Sequence, residues 1–160
     1  MQYLDDARAY ELGIEAELAR ECEQGFLSPE QAAMVRADEL ERLVKSDLGA
    51  RLRGATTARE MKFSILMDAR ECVDGAPEGE RILVQGVADC ILREKDGLTV
   101  IDYKTDRVRP GQEEAHAARY AMQMRTYVQA VRELYGEEPR SCLLYFFATG
   151  KAVEMIDRLE

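Results

Sequence analysis

Two aspartates and a lysine lie on neighbouring strand-like segments in the middle of the chain. Asp89 belongs to residues 84–92, and Asp102 and Lys104 belong to residues 98–107, after a short turn. Carboxylate oxygens are hard ligands of the kind that Mg²⁺ and Mn²⁺ prefer. A bound divalent ion lowers the pKa of a water and polarises a phosphate, and a lysine can neutralise charge in the transition state. The three residues therefore predict a divalent-metal site suited to hydrolysing phosphodiesters.

The turn between the two segments sets the predicted geometry of this site. Asp96-Gly97 predicts a two-residue hairpin turn, which pairs Ile91 with Asp102 and Asp89 with Lys104. Because side chains alternate along a strand, Asp89, Asp102 and Lys104 then share one face of the sheet. The two aspartates become diagonal neighbours, roughly 7–8 Å apart at the backbone, and can hold one cation between them. We expect Mg²⁺ as the cofactor, with Mn²⁺ able to replace it.

The alternative is an ordinary exposed sheet face with a cross-strand ion pair between Asp89 and Lys104, which contributes little stability. Two details favour the metal site. Asp102 follows the apolar residues 98–101, and a carboxylate at the end of a buried run needs a partner. Gly86 and Gly97 flank the region, and a glycine inside a strand often marks the close approach of another group.

The elements around this hairpin predict an α/β (α+β) domain with a central mixed sheet flanked by helices. Helices are predicted over residues 4–24, after Ser28 and over 112–135, and strands over 60–67, 82–93, 98–104, 142–148 and 152–157. Gly136 is expected to end the last helix. Residues 1–56 are expected to form an N-terminal helical segment and residues 57–160 the core.

Composition limits the classes of protein to which this chain can belong. The 160 residues are enough for one domain with a substantial core. No apolar run approaches the roughly 20 residues of a membrane helix, and the acidic N-terminus does not resemble a signal peptide. The four scattered cysteines lack a Cys-x-x-Cys pair and predict free thiols, as expected for a cytoplasmic protein. The net charge of −9 predicts weak intrinsic DNA affinity and weighs against a nuclease.

Three segments together carry a family resemblance. Gly-Val-Ala-Asp at residues 86–89, Asp-Tyr-Lys-Thr-Asp-Arg at residues 102–107 and Gln-Met-Arg-Thr-Tyr at residues 123–127 resemble the RecB-like branch of the PD-(D/E)XK nucleases, in particular AddA-type helicase–nucleases. The resemblance implies a restriction-endonuclease-like core. It also implies that Asp89, Asp102 and the Tyr103 carbonyl bind the metal and that Lys104 is the catalytic lysine.

The resemblance assigns three further residues. Gln123 and Tyr127 lie one turn apart on a helix and match a motif that shapes the site and touches DNA. Glu60 matches an acidic position on the first core strand. Without the hairpin motif, Gln123 would be interpreted as a solvated helix residue and Tyr127 as part of the core.

Two features of the chain depart from the family pattern. The family carries a metal-binding histidine upstream of the strands, whereas the single histidine here, His116, lies after the hairpin, where a surface histidine at a helix start is expected. No Gly-x-x-x-x-Gly-Lys-Ser/Thr loop is present, so ATP would be used only by motor domains that this chain lacks. We therefore expect a fragment of a longer helicase–nuclease, cut after the histidine. Relatives with an iron–sulfur cluster place three cysteines near the C-terminus, so no cluster is predicted here.

Three functions remain in competition at this point. The first is a metal-dependent DNA exonuclease domain of a double-strand-break repair helicase–nuclease, whose partners are a single DNA strand and a second helicase–nuclease subunit. The second is a non-catalytic, nuclease-like module that contacts a partner subunit or DNA. The third is a stand-alone exonuclease, which the missing histidine and the acidic charge disfavour.

Overall fold

Within the described residues, five strands form one mixed sheet in the order in which they occur along the chain. The computed structural model describes residues 2–159. The strands are β1 (Thr56–Asp68), β2 (Arg81–Glu94), β3 (Gly97–Lys104), β4 (Pro139–Phe146) and β5 (Lys151–Glu154). Only β3 and β4 run parallel, and the other neighbours are antiparallel. The predicted mixed sheet is confirmed.

Short helices occupy most of the chain before the sheet. They are α1 (Asp6–Leu12), α2 (Ile14–Glu23), α3 (Pro29–Met34), α4 (Ala37–Lys45) and α5 (Asp47–Gly54). The single helix predicted over residues 4–24 is wrong, because Gly13 takes a φ of 92° and separates α1 from α2. The start of α3 is as predicted: Ser28 and Gln31 form a reciprocal capping box. A four-residue helix, α6 (Ala69–Cys72), lies between β1 and β2.

The helix predicted over residues 112–135 is divided into three pieces. They are α7 (Glu113–Ala117), a 3₁₀ turn (Ala118–Tyr120) and α8 (Ala121–Tyr135). As predicted, α8 ends at Gly136, which takes a left-handed conformation and donates its N–H to the Arg132 carbonyl. A second 3₁₀ turn (Ile156–Arg158) follows β5. None of the helices in residues 2–159 is long and apolar enough to cross a bilayer.

Helices pack on both faces of the sheet. One face is covered by α8, whose Met124, Tyr127 and Val131 pack against the strands. The other face is covered by α4 and α5, through Leu43 and Leu52. Strand β4 alternates between these two cores, so all of its residues except Arg140 are buried. The predicted strand with both faces covered is confirmed here.

The register of the β2–β3 hairpin differs from the prediction by two residues. Glu94 pairs with Gly97 and Ile91 with Val100, so the predicted pairing of Asp89 with Lys104 is wrong. Lys95 and Asp96 form the corner with negative φ values, and Gly97 alone takes a positive φ, of 134°. Because side chains alternate with a period of two, Asp102 and Lys104 share one face of β3, as predicted. In β2 the alternation is interrupted near Asp89, since Ala88 and Ile91 both pack in the core under α8. The slip moves Asp102 from a diagonal position to one directly across from Asp89.

Candidate active site

The two aspartates stand opposite each other where the β2–β3 ladder ends. The last paired residues are Cys90 and Ile101, so Asp89 and Asp102 occupy the next position outward. Asp89 Oδ2 accepts a hydrogen bond of 2.9 Å from the Tyr103 backbone N–H. This bond continues the hairpin through a side chain and holds the Asp89 carboxylate between the two strands.

Asp102 is a buried carboxylate in an acidic environment. Asp102 is only 2% exposed to solvent. Burial, partly offset by the Lys104 ammonium, raises the pKa of Asp102 to about 6, and the negative charges of Asp89 and Asp106 act in the same direction as burial. Near neutral pH the group is ionised at a cost in free energy, which a bound cation would lower.

Lys104 is held on three sides. Its Nζ lies 2.7 Å from Asp102 Oδ2 and donates a hydrogen bond of 2.7 Å to Gln123 Oε1. The same Nζ lies 3.9 Å from the centroid of the Tyr120 ring. The side chain is 13% exposed, so the ammonium is largely shielded from water. Lys104 therefore pairs with Asp102 and not with Asp89.

Gln123 and Tyr127 complete the network from α8. Gln123 Nε2 donates to the Tyr127 hydroxyl at 2.7 Å and to Asp102 Oδ1 at 3.2 Å. One amide thus connects the lysine, the buried aspartate and the tyrosine. The interpretation of Gln123 as a solvated helix residue is wrong. Tyr127 is part of the core, as the alternative suggested, and its hydroxyl also reaches the site.

A glycine in β2 leaves room for an aromatic ring that contacts Tyr127. Phe63 on β1 meets the Tyr127 ring edge-on at 5.7 Å between centroids. Phe63 faces Gly86 across the ladder, and a Cβ on Gly86 would stand 2.6 Å from Phe63 Cζ. The close approach predicted near Gly86 is present, and it is the approach of an aromatic ring that supports the site.

Glu60 lies beside the site in an unusual backbone conformation. Arg59 pairs with Cys90 and Met61 with Ala88, which places Glu60 opposite Asp89. Its φ is 48°, and among residues 2–159 it is the only residue other than glycine with a positive φ. No hydrogen bond or ion pair within these residues joins Glu60 to the aspartates or the lysine. Its side chain lines a groove of about 410 Å³ toward the N-terminal helices.

Tyr103 contributes only its backbone to this face. Its ring lies on the opposite side of the sheet, 5.7 Å from the Phe147 ring and 6.4 Å from the Tyr145 ring. The Tyr103 N–H is committed to Asp89.

Tyr120 and Asp106 are site residues that the sequence reasoning missed. The Tyr120 hydroxyl donates a hydrogen bond of 2.5 Å to Asp106 Oδ2, and this bond raises the pKa of Tyr120 to about 12. His116 Nε2 lies 4.0 Å from the same oxygen, and its ring packs edge-on against Phe146 at 5.8 Å. His116 is therefore half-buried beside the site and is not a simple surface residue. The position of Tyr120, three residues before Gln123, was the available signal.

The chemistry of the donor set fits a hard divalent cation. Among residues 2–159, no group of three or more His, Cys, Asp or Glu side chains converges as a ready metal cage. The site offers two facing carboxylates, and the buried Asp102 Oδ2 has no hydrogen-bond donor aligned on it, although the Lys104 ammonium is near. Mg²⁺ is commonly bound through one or two carboxylates, with waters completing its octahedron. Asp89 and Asp102 therefore fit such an ion.

Comparison with known proteins defines the class. The profile of the PD-(D/E)XK nuclease superfamily matches residues 3–158. The chain belongs to the PD-(D/E)XK nuclease superfamily, and its mixed sheet with flanking helices agrees with that fold.

Particular relatives are bacterial ATP-dependent helicase/nuclease subunits of the A type. The protein from Desulforudis audaxviator is 40% identical over 95% of this chain and 13% of its own length. The protein from Acetivibrio thermocellus is 36% identical over 94% of this chain and 12% of its own length. The chain therefore spans about an eighth of the length of these relatives. A solved structure, that of SSO0001, aligns with 93% of this chain and 60% of its own, at 19% identity and a TM-score of 0.44.

Proposed function

We propose that this chain is a metal-dependent DNA exonuclease domain of a double-strand-break repair helicase–nuclease of the AddA type. The observation that carries the proposal is the arrangement of Asp89 and Asp102 across one hairpin, with Lys104 held beside them by Gln123. In this proposal residues 57–160 form the nuclease core, and residues 1–56 form the helical segment that packs on it. The domain would act in the bacterial cytoplasm, on a single strand delivered by a motor, together with a second, AddB-like subunit.

In the proposed mechanism Asp89, Asp102 and the Tyr103 carbonyl would hold Mg²⁺, for which Mn²⁺ could substitute. When bound, the ion lowers the pKa of a water and polarises the scissile phosphate. Lys104 neutralises the charge that develops on the phosphate oxygens. Gln123 is one of the groups that restrain the ammonium near the reacting group, through its 2.7 Å hydrogen bond. Tyr127 fixes the amide of Gln123, so that its oxygen faces the lysine and its nitrogen faces Asp102.

Local charge supports DNA as the substrate despite the net charge of −9. Most cations in residues 2–159 are engaged by acidic side chains or backbone carbonyls. Arg107, Arg109 and Arg119 are exposed and make no side-chain hydrogen bond or ion pair within the same residues. All three follow Lys104 closely in the chain, in the segment that leads from β3 to α8. They are free to contact phosphates next to the scissile bond.

The second candidate is the non-catalytic module. Such a module would keep the fold, but it would not need a buried carboxylate whose ionisation costs free energy. The burial of Asp102 beside a second carboxylate therefore favours the catalytic proposal.

The first test is Mn²⁺ binding measured by titration calorimetry. We expect the wild-type chain, Lys104→Ala and the matched control Asp96→Ala to bind, and Asp102→Ala to lose binding. Asp96 is an exposed carboxylate at the far end of the same hairpin, paired with Arg140. Equal binding by Asp102→Ala would contradict the metal site.

The second test is cleavage of end-labelled single-stranded DNA in Mg²⁺ or Mn²⁺. Lys104→Ala should abolish cleavage, while the control Lys95→Ala should retain it. Metal binding by the wild type without any cleavage would favour the non-catalytic module. Wild-type rates in Lys104→Ala would remove the lysine from the mechanism.

A further inference from the structure

The ammonium of Lys104 rests on an aromatic face that is itself tied to the lysine's own segment. Tyr120 comes from the 3₁₀ turn before α8, and its ring centroid lies 3.9 Å from Lys104 Nζ. The Tyr120 hydroxyl donates to Asp106, which lies two residues after Lys104. The three side chains therefore form a closed loop of contacts from β3 to the 3₁₀ turn and back.

The other two anchors of Lys104 do not fix the ammonium by themselves. Asp102 Oδ2 attracts it at 2.7 Å, but the same oxygen is the group that a bound cation would engage. A lysine stem has four rotatable bonds, so one hydrogen bond to Gln123 leaves the ammonium free to swing about that contact. The ring of Tyr120 closes the remaining side, and its negative face attracts a cation directly.

Asp106 and His116 determine the orientation of that ring. The hydrogen bond from the Tyr120 hydroxyl fixes the ring at its far end. His116 lies 4.0 Å from the same carboxylate, and its ring is 6.1 Å from that of Tyr120. His116 in turn packs on Phe146, which pairs with Lys104 in the parallel β3–β4 ladder. Through His116, the Tyr120 ring is thus packed against β4, the strand that pairs with Lys104.

We propose that Tyr120 is a positioning residue for Lys104 and that Asp106 holds Tyr120 in place. This inference rests on the proposed nuclease function, because it assigns a role toward the catalytic lysine. Neither residue contacts the metal ligands Asp89 and Asp102 by a hydrogen bond or an ion pair within residues 2–159. Their contribution is therefore expected in the rate of cleavage and not in metal affinity.

The kinetic test compares three variants in steady-state cleavage of single-stranded DNA at saturating Mn²⁺. Tyr120→Leu removes the aromatic face and should lower kcat about 10-fold. Tyr120→Phe keeps the face but loses the Asp106 hydrogen bond, and Asp106→Asn weakens that bond, so each should lower kcat only a few-fold. The KM for DNA should stay unchanged in all three, because Tyr120 acts on the lysine and not on the strand.

The matched control is Tyr10→Leu. Arg53 Cζ lies 3.9 Å from the Tyr10 ring centroid on α1, the same separation as at Tyr120 but with neither residue among the site groups. This variant should cleave at the wild-type rate. A raised KM with unchanged kcat in Tyr120→Leu would show that Tyr120 contacts DNA instead, and wild-type kinetics in all three site variants would overturn the proposal. If Tyr120→Leu fails to fold, Tyr120→Phe and Asp106→Asn carry the same test.

A spectroscopic measurement separates this inference from the proposed function. A methylene beside an aromatic face experiences a ring-current shift, so in ¹³C-labelled lysine spectra the Lys104 Cε signal should move when Tyr120 becomes Leu and stay when it becomes Phe. This readout needs no catalysis. A moved signal without cleavage in the wild type would contradict the nuclease function alone, whereas an unmoved signal in an active enzyme would contradict the role of Tyr120 alone.

Discussion

Replacement of Asp102 by asparagine should stabilise the metal-free protein while it destroys the site. The pKa of Asp102 is raised from 3.8 to about 6, chiefly by burial. At about 1.4 kcal/mol per pH unit, ionised Asp102 lowers the free energy of unfolding by about 3 kcal/mol above pH 6. An amide of the same shape avoids this cost. For a chain of 160 residues the melting temperature should rise by about 6–12 °C.

The stability that Asp102→Asn gains over the wild type depends on pH. Between about pH 4 and pH 6 the folded protein binds more protons at Asp102 than the unfolded chain does, because the folded pKa is the higher one. Stability therefore falls as the pH rises through this window and reaches its full loss above pH 6. The advantage of Asp102→Asn should be largest at pH 7.5 and should disappear near pH 4.

The assay is urea unfolding in the presence of EDTA from pH 4 to pH 8. Asp68→Asn is the control with the opposite sign, because hydrogen bonds from Arg70 lower the pKa of Asp68 to about 2. That variant should lose stability above pH 4. Addition of Mn²⁺ at a hundred times its Kd should then stabilise the wild type by about 2.7 kcal/mol and leave Asp102→Asn unchanged. An asparagine variant that is less stable than the wild type at pH 7.5 would show that the attraction between Asp102 and Lys104 outweighs burial, which refutes the reasoning.

Three further predictions follow from single residues. Glu60→Gly should raise the free energy of unfolding by roughly 1 kcal/mol in urea titrations, because glycine adopts a φ of 48° without strain; a loss of stability would show that the side chain is what holds the turn. Gly86→Ala should destabilise by roughly 1–3 kcal/mol and slow cleavage, since its Cβ would displace the ring of Phe63; unchanged melting and rate would exclude that support. Arg107→Gln should reduce the slope of log affinity for single-stranded DNA against log salt by about one, whereas Lys95→Gln should not; equal slopes in both variants would remove the arginine from the DNA contact.

The sequence was sufficient to predict the face of the sheet on which the site lies, but not the register of the β2–β3 hairpin. Asp-Gly predicted a tight turn, yet Gly97 ends the corner instead of forming half of it, and every pair shifts by two residues. An error of two positions preserves the face, so Asp89 and Asp102 were still placed together. An error of one would have placed them on opposite sides of the sheet.

Two local features of the chain near the site were not predictable from the sequence. The positive φ of Glu60 has no signal in a strand-like run, because glutamate is not a residue that favours this conformation. The 3₁₀ turn that presents Tyr120 to Lys104 interrupts a pattern that is otherwise typical of one long helix. At the 3₁₀ turn, the contacts of Tyr120 with Lys104 and Asp106 accompany the departure from one long helix.

The parallel pairing of β3 with β4 has a consequence for the order of folding. The antiparallel β2–β3 hairpin pairs residues that are close in sequence, so Asp89 and Asp102 can come together early. The Lys104 carbonyl accepts a hydrogen bond from the Phe147 N–H, and Phe147 lies roughly forty residues later in the chain. Gln123, which accepts a hydrogen bond from the Lys104 ammonium, lies on the helix between these two residues. We expect the pairing of β3 with β4 to be the slow step of folding. Asp89 and Asp102 would then come together before the Lys104 side chain reaches its final position. A partly folded chain could then bind a cation without being able to cut, and cleavage would begin only after the last segment of the domain has docked.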